Sequence, residues 1–161
     1  GGVEYSLNLD DYQSLAGLGG RVTWDLDIFR TETYESSVTG LGFDLVDSAN
    51  TIGTPEMRWK LDTSYTRGGL GVQWSLRYTG ESKFSNTATI ENYTPLTVQE
   101  YYLNDLSFAY RFDTDRLGMK DVTARLQIRN VFDVEPPLGT TGIGVYDLIG
   151  RYYQVGMSAR F

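Results

Sequence analysis

The sequence predicts an all-β protein built of antiparallel transmembrane β-barrel strands, about seven in number. Three observations predict it. Aromatic residues and glycine are abundant, with 12 Tyr, 7 Phe, 3 Trp and 18 Gly in 161 residues and only 4 Pro, a composition that suits strands and turns. Apolar and polar residues alternate in seven separate segments, the period of a strand with one face of each kind. The connections between those segments alternate short and long. Antiparallel neighbours would then place every tight turn at one end and every long loop at the other, as membrane barrels do.

The first segment, approximately 2–10, alternates Val3, Tyr5, Leu7 and Leu9 with Glu4, Ser6 and Asn8. In 20–34, Val22, Trp24, Leu26 and Ile28 oppose Arg21, Thr23, Asp25 and Asp27. In 56–66, Met57, Trp59, Leu61 and Tyr65 oppose Arg58, Lys60, Asp62 and Ser64. In 69–80, Leu70, Val72, Trp74, Leu76 and Tyr78 oppose Gln73, Ser75 and Arg77. The segment 100–112 sets Leu106, Phe108, Tyr110 and Phe112 against Asp105, Ser107 and Arg111, and 119–132 sets Val122, Ala124, Leu126 and Ile128 against Thr123, Arg125, Gln127 and Arg129. The last, 149–161, sets Tyr153, Val155, Met157, Ala159 and Phe161 against Gln154, Ser158 and Arg160. The short connections are Asp10–Gly20, Arg67-Gly68-Gly69 and Asp113–Lys120; the long ones, 29–56, 80–104 and 130–152, are rich in Ser, Thr, Asn, Gly and Tyr.

Composition removes most catalytic chemistry. The chain has no Cys and no His, so disulfides, thiolate nucleophiles, Cys/His zinc sites and His general bases are excluded. A formal net charge of −7 argues against a nucleic-acid partner. No apolar run approaches the roughly 20 residues of a membrane helix, a test that says nothing of barrel strands. Asp44 and Asp47 lack EF-hand spacing, and the Gly–Gly pairs belong to no G-x-x-x-x-G-K-[ST] phosphate loop. No cofactor, metal site or enzymatic activity is expected.

The alternation fits two architectures. A soluble sandwich or lipocalin-like barrel carrying an apolar ligand turns the apolar face inward, whereas a membrane barrel turns it to lipid. Charges and amides at mid-strand (Asp25, Asp62, Arg77, Asp105, Arg125, Gln127) suit a watery lumen. Tyr65, Tyr78, Tyr110, Phe112, Tyr153 and Phe161 lie towards strand ends, where interfacial aromatic girdles sit. Both features favour lipid.

The final segment, Gly150 to Phe161, resembles the C-terminal assembly signal of bacterial outer-membrane proteins: a terminal Phe161 preceded by apolar residues at alternate positions, Ala159, Met157, Val155 and Tyr153. Its amphipathic edge would pair with the barrel-assembly machinery. The stretch Arg129-Asn130-Val131-Phe132-Asp133-Val134-Glu135-Pro136-Pro137, followed by Tyr146-Asp147 and Gly150-Arg151-Tyr152, resembles the end of a TonB-dependent receptor, and Gly2-Val3-Glu4 resembles a strand opening in the same family. The likeness is detailed over 100–161 and architectural over 1–99. It implies the C-terminal part of a 22-stranded barrel in the bacterial outer membrane. A plug and a TonB-contacting segment would lie elsewhere, on the same or a separate chain. It also implies energised uptake of a scarce ligand such as iron–siderophore, haem, cobalamin or oligosaccharide; the lack of His argues against haem ligation here.

Strand parity points the same way, since bacterial single-chain barrels close with even numbers and seven strands leave the first and last parallel. An eighth strand within Leu41-Gly42-Phe43-Asp44-Leu45 would instead make a small self-contained barrel with a structural or adhesive role. The residues expected to line the lumen are Arg58, Lys60, Asp62, Arg77, Asp105, Arg111, Arg125 and Arg129, either along a ligand path or as salt-bridged wall. Tyr34, Phe84, Tyr93 and Tyr101 are expected at the extracellular mouth, stacking on ligand or packing the loops. Pro136-Pro137 and Gly139 are expected to shape a loop.

Overall fold

The computed structural model describes residues 1–12, 17–36, 45–114 and 119–160. Its strands are β1 Gly2–Asn8, β2 Arg21–Arg30, β3 Glu35–Ser36, β4 Val46–Asp47, β5 Met57–Arg67, β6 Leu70–Thr79, β7 Ser82–Lys83, β8 Thr97–Val98, β9 Tyr101–Thr114, β10 Met119–Arg129 and β11 Tyr152–Arg160. One 3-10 turn, Leu9–Asp11, follows β1. Seven of the strands form one antiparallel meander in the order β1-β2-β5-β6-β9-β10-β11. This is the all-β antiparallel class that the alternation predicts. The sheet is open: β1 and β11 are its two edges. Phe161 and the stretch 41–44, with Asp44 and the candidate eighth strand, lie outside the described residues.

Register explains why the alternation is so regular. One row crosses all seven strands as Leu7, Val22, Tyr65, Val72, Phe108, Leu126 and Val155. The adjoining row on the other face is Ser6, Thr23, Ser64, Gln73, Ser107, Gln127 and Gln154. A slip of one residue anywhere would exchange the two rows, so the pairing is strongly specified. β2, β5, β6, β10 and β11 run for 10, 11, 10, 11 and 9 residues, the length that crosses a hydrocarbon core at a tilt.

The apolar face carries exposed Val3, Tyr5, Tyr110, Tyr153, Val155 and Met157; among the described residues no layer packs on it. Near the long-loop end Trp59, Tyr78 and Tyr102 stand in one row with ring centroids 5.2 Å and 4.9 Å apart. Towards the turns Tyr110 and Phe112 stack at 5.9 Å. Asn104 interrupts this face, and its Oδ1 accepts the Trp74 indole N–H at 3.0 Å, which satisfies both polar groups.

The turns and loops behave differently. Gly68 supplies the left-handed residue (φ 53) of the tight β5–β6 turn, where a side chain would be strained. At the other end, the long connections fold together over the polar face. Val98, Tyr101, Leu103 and Tyr146 form the hydrophobic core, with Ile52, Phe84, Val134, Ile143 and Val145 packed against it. Tyr101 and Leu103 have the same strand phase as Asp105, so this core sits on the polar side of the sheet. Gly139 (φ 83) lies so close to Phe84 that an added Cβ would stand 2.5 Å from its ring.

Candidate functional site

The base of the last long loop is built by the residues of the Asn-Val-Phe-Asp stretch. Asn130 is 1% exposed and left-handed (φ 50), a conformation Asn tolerates. Its backbone N–H donates to Asp105 Oδ1 at 3.0 Å. Its side chain closes a reciprocal pair with Val134, donating from Nδ2 at 2.9 Å and accepting at Oδ1 at 2.8 Å. Asp133 Oδ1 then accepts the Arg151 N–H at 2.7 Å, tying the loop's start to its return into β11. This stretch therefore works as a clamp between β9, β10 and β11.

On the polar face, Lys60, Asp62, Arg77, Asp105 and Arg129 line a single concavity of about 390 Å³, with Gln73, Ser75, Ser107 and Gln127 between them. Every one of these residues belongs to the polar rows, so the wall is hollowed on its polar side. Lys60 Nζ lies 2.6 Å from Asp62 Oδ2, and Arg77 Nη2 donates to Asp105 Oδ2 at 2.8 Å. Asp105 is the junction of the site, since its other oxygen holds Asn130. Asp62 Oδ1 and Arg129 Nε are buried with no hydrogen-bond partner among the described residues.

The remaining lumen candidates lie to either side. Arg125 pairs in register with Ala109 and Arg111 with Thr123, both nearer the short turns. Arg125 Nη1 donates to Ser158 Oγ at 3.2 Å. Arg58, at the loop end, is the register partner of Phe29 and Thr79 and lines a crevice of about 330 Å³ beneath Gly144, Val145 and Asp147. Glu4, Asp25 and Asp62 occupy one row of β1, β2 and β5, whereas Arg111, Arg125 and Arg129 follow β9 and β10.

The structure separates the four mouth aromatics. Tyr101 opens β9, is 4% exposed, and faces Tyr146 with centroids 5.8 Å apart: it is core. Phe84 packs on that core and stacks on Tyr93 at 5.5 Å. Tyr34 is exposed in the first long loop, where its N–H donates to Asp47 Oδ1 at 3.0 Å. Asp47 also accepts the Ala49 N–H at 2.9 Å. These bonds, first that of Ala49 and then that of Tyr34, hold the Asp47 carboxyl below its ordinary range against a small opposing effect of burial.

The loops are bonded into one cap. Asn86 Nδ2 donates to Asp47 O at 2.7 Å and Ala49 O at 3.0 Å. Ile52 N–H donates to Lys83 O and Lys83 N–H to Asn50 O, each at 2.9 Å. The hydroxyls of Ser82 and Tyr146 meet at 3.3 Å. Sequence reasoning did not single out Tyr146 or Phe29 as site residues. Phe29 had a signal: it follows Ile28 directly and so breaks the alternation. Tyr146 had none beyond its place in the Tyr-Asp pair.

At the C-terminal end, Tyr153, Val155 and Met157 pair with Ile128, Leu126 and Ala124, and Ala159 shares their strand phase within β11. All four stand in the apolar rows of the edge strand. The family model for the TonB-dependent receptor-like β-barrel matches residues 2–131 of the chain. No curated protein and no solved structure matches it.

Proposed function

The chain belongs to the TonB-dependent receptor-like β-barrel family, and from that premise we propose that it supplies wall, extracellular cap and assembly edge to a receptor that imports one scarce ligand. The family is one of the outer membrane, and its members carry out TonB-dependent transport with a plug. The ligand is of the iron–siderophore, cobalamin or oligosaccharide class.

The observation that carries this reading is the pair of adjoining rows across all seven strands, one wholly apolar and one wholly polar. A barrel wall between lipid and a wet lumen needs that division. The unpaired edges β1 and β11 call for further strands, because an open sheet edge is untenable in hydrocarbon. In this reading Asp62, Arg77, Asp105, Arg111, Arg125 and Arg129 face the plug and the ligand path. Asp62 Oδ1 and Arg129 Nε find their missing partners there. Tyr34, Phe84 and Tyr93 sit at the extracellular mouth. Tyr153, Val155, Met157, Ala159 and Phe161 offer the edge that the assembly machinery pairs with, and outer-membrane lipid covers the apolar rows.

The test is nutritional. Cells lacking the receptor are grown with ferric siderophores as iron source, with cobalamin, or with oligosaccharides as carbon source, and compared with cells that express it. Expression should restore growth on one of these, and inactivating TonB should abolish the gain. Growth on any of them that persists without TonB would refute energised uptake.

A further inference from the structure

Resting on the transport reading above, we propose that the crevice between β2, β5, β6, β9 and loop residues 144–147 binds a ligand bearing one anionic oxygen group beside a flat ring. Arg58 and Phe29 make its two principal contacts. The crevice measures about 330 Å³, within the size of small-ligand sites.

One residue on its floor departs from the alternation of the wall, and its cross-strand partner is a cation. Phe29 stands on the polar face and is 56% exposed. Arg58 is its cross-strand register partner, so ring and guanidinium rise side by side, roughly 5 Å apart at Cβ. Among the described residues, Arg58 has no carboxylate within ion-pair distance and no hydrogen bond from its guanidinium. The other two cations of the crevice are already neutralised, Lys60 by Asp62 at 2.6 Å and Arg77 by Asp105 at 2.8 Å. A lone exposed ring or a lone cation is ordinary surface. Adjacent, under a loop and inside one cavity, they match the two halves of one molecule. The ring stacks on Phe29, and the guanidinium fork takes an ionised oxygen pair.

The loop side sets the orientation. Asp147 lines the crevice opposite the wall, with Oδ1 held by the Ile149 N–H at 3.0 Å. A second anionic group there would meet its negative charge, whereas a ligand hydroxyl would find an acceptor. The bound molecule therefore points its anionic end at Arg58 and its neutral, hydroxylated end at Asp147.

The experiment uses the full-length receptor purified in detergent, titrated by calorimetry with 2-naphthoate, with the neutral 2-naphthylmethanol and with maltose. Naphthoate should saturate in the millimolar range and bind about tenfold tighter than the alcohol, the worth of one charge-assisted contact. Arg58→Gln should lower naphthoate to the level of the alcohol, and Phe29→Leu should weaken both aromatic probes alike. Heat-modifiable gel mobility confirms that each variant is folded. Equal binding of acid and alcohol, binding of maltose alone, no saturation by naphthoate, or an unaltered affinity in Arg58→Gln would overturn the site. TonB-independent growth with naphthoate binding intact would remove the transport reading and leave the site standing.

Discussion

The wall and the cap bury their apolar residues in opposite senses. Along the seven long strands, Leu7, Val22, Tyr65, Val72, Phe108, Leu126 and Val155 stand in one row, and among the described residues no layer packs on that face. In the cap, Val98, Leu103, Tyr101 and Tyr146 are each less than 5% exposed and lie on the polar side of the same sheet. The wall is held by backbone ladders and awaits a lipid solvent for its apolar face. The cap makes its own hydrophobic core and has the physics of a small water-soluble unit. One chain therefore carries two stability regimes that separate experiments can address.

The largest expected effect falls on the cap. Tyr146 joins the loop 130–151 to β7 through the Ser82 hydroxyl at 3.3 Å and to β9 through the Tyr101 ring. Tyr146→Ala should cost about 3–5 kcal/mol of the cap's local stability, as for other buried aromatics. Limited proteolysis should then cut within 31–56 and 80–100 as well as within 130–151, because the three loops share one core. The heat-modifiable gel shift of the barrel should not move. Cleavage confined to 130–151 would show three independent loops.

Next in size is a charge placed on either side of the wall. Leu126 and Gln127 are neighbours in β10, paired with Phe108 and Ser107. Leu126→Arg should cost about 2–4 kcal/mol near the bilayer midplane, whereas a charge facing the lumen is tolerated. Refolding into lipid vesicles, read by gel shift, should fail or lag for Leu126→Arg and proceed for Gln127→Arg. The reverse order would mean that the polar rows face lipid.

The two regions also differ in how much of them the sequence discloses. The wall is written locally: a period of two over Val122 to Ile128 names the faces of β10 with no knowledge of its neighbours. Its exceptions are satisfied across strands, which is why they escape a local reading. Asn104 stands in an apolar row because Trp74, on the next strand, needs an acceptor. Phe29 is visible as a break in alternation, but its partner Arg58 lies across the β2–β5 ladder. The cap is almost silent in sequence. Tyr101 and Tyr146 are 45 positions apart and meet only after three loops converge, so the sequence leaves Tyr101 open between stacking on ligand and packing the loops, and the fold puts it in the packing. The Asn130–Asp133 stretch was legible as a motif before its mechanics were: the left-handed turn at Asn130 and its bond to Asp105 belong to the fold.

The smallest effect is one of acid on the cap. The Asp47 carboxylate is exposed, yet it accepts the N–H groups of Ala49 and Tyr34, which depress its pKa, and Asn86 clasps its carbonyl from the next loop. A carboxyl whose folded pKa lies below its unfolded one lends stability above the unfolded value and loses it as pH falls through the folded one. The Asp47 contribution is therefore complete at neutral pH and fades only below the ordinary aspartate value of about 3.9. Hydrogen exchange at the Tyr34 and Ala49 amides, corrected for intrinsic rate, should lose protection in that acid window in the native chain. In Asp47→Asn the same amides should show weaker protection at neutral pH and a flat profile below pH of about 4. Wall amides such as those of Leu126 and Val72 should follow the same profile in both proteins. Should the two proteins lose cap protection in parallel, the acid response would belong to other carboxylates, and Asp47 would hold the Tyr34 and Ala49 amides no better than an amide side chain does.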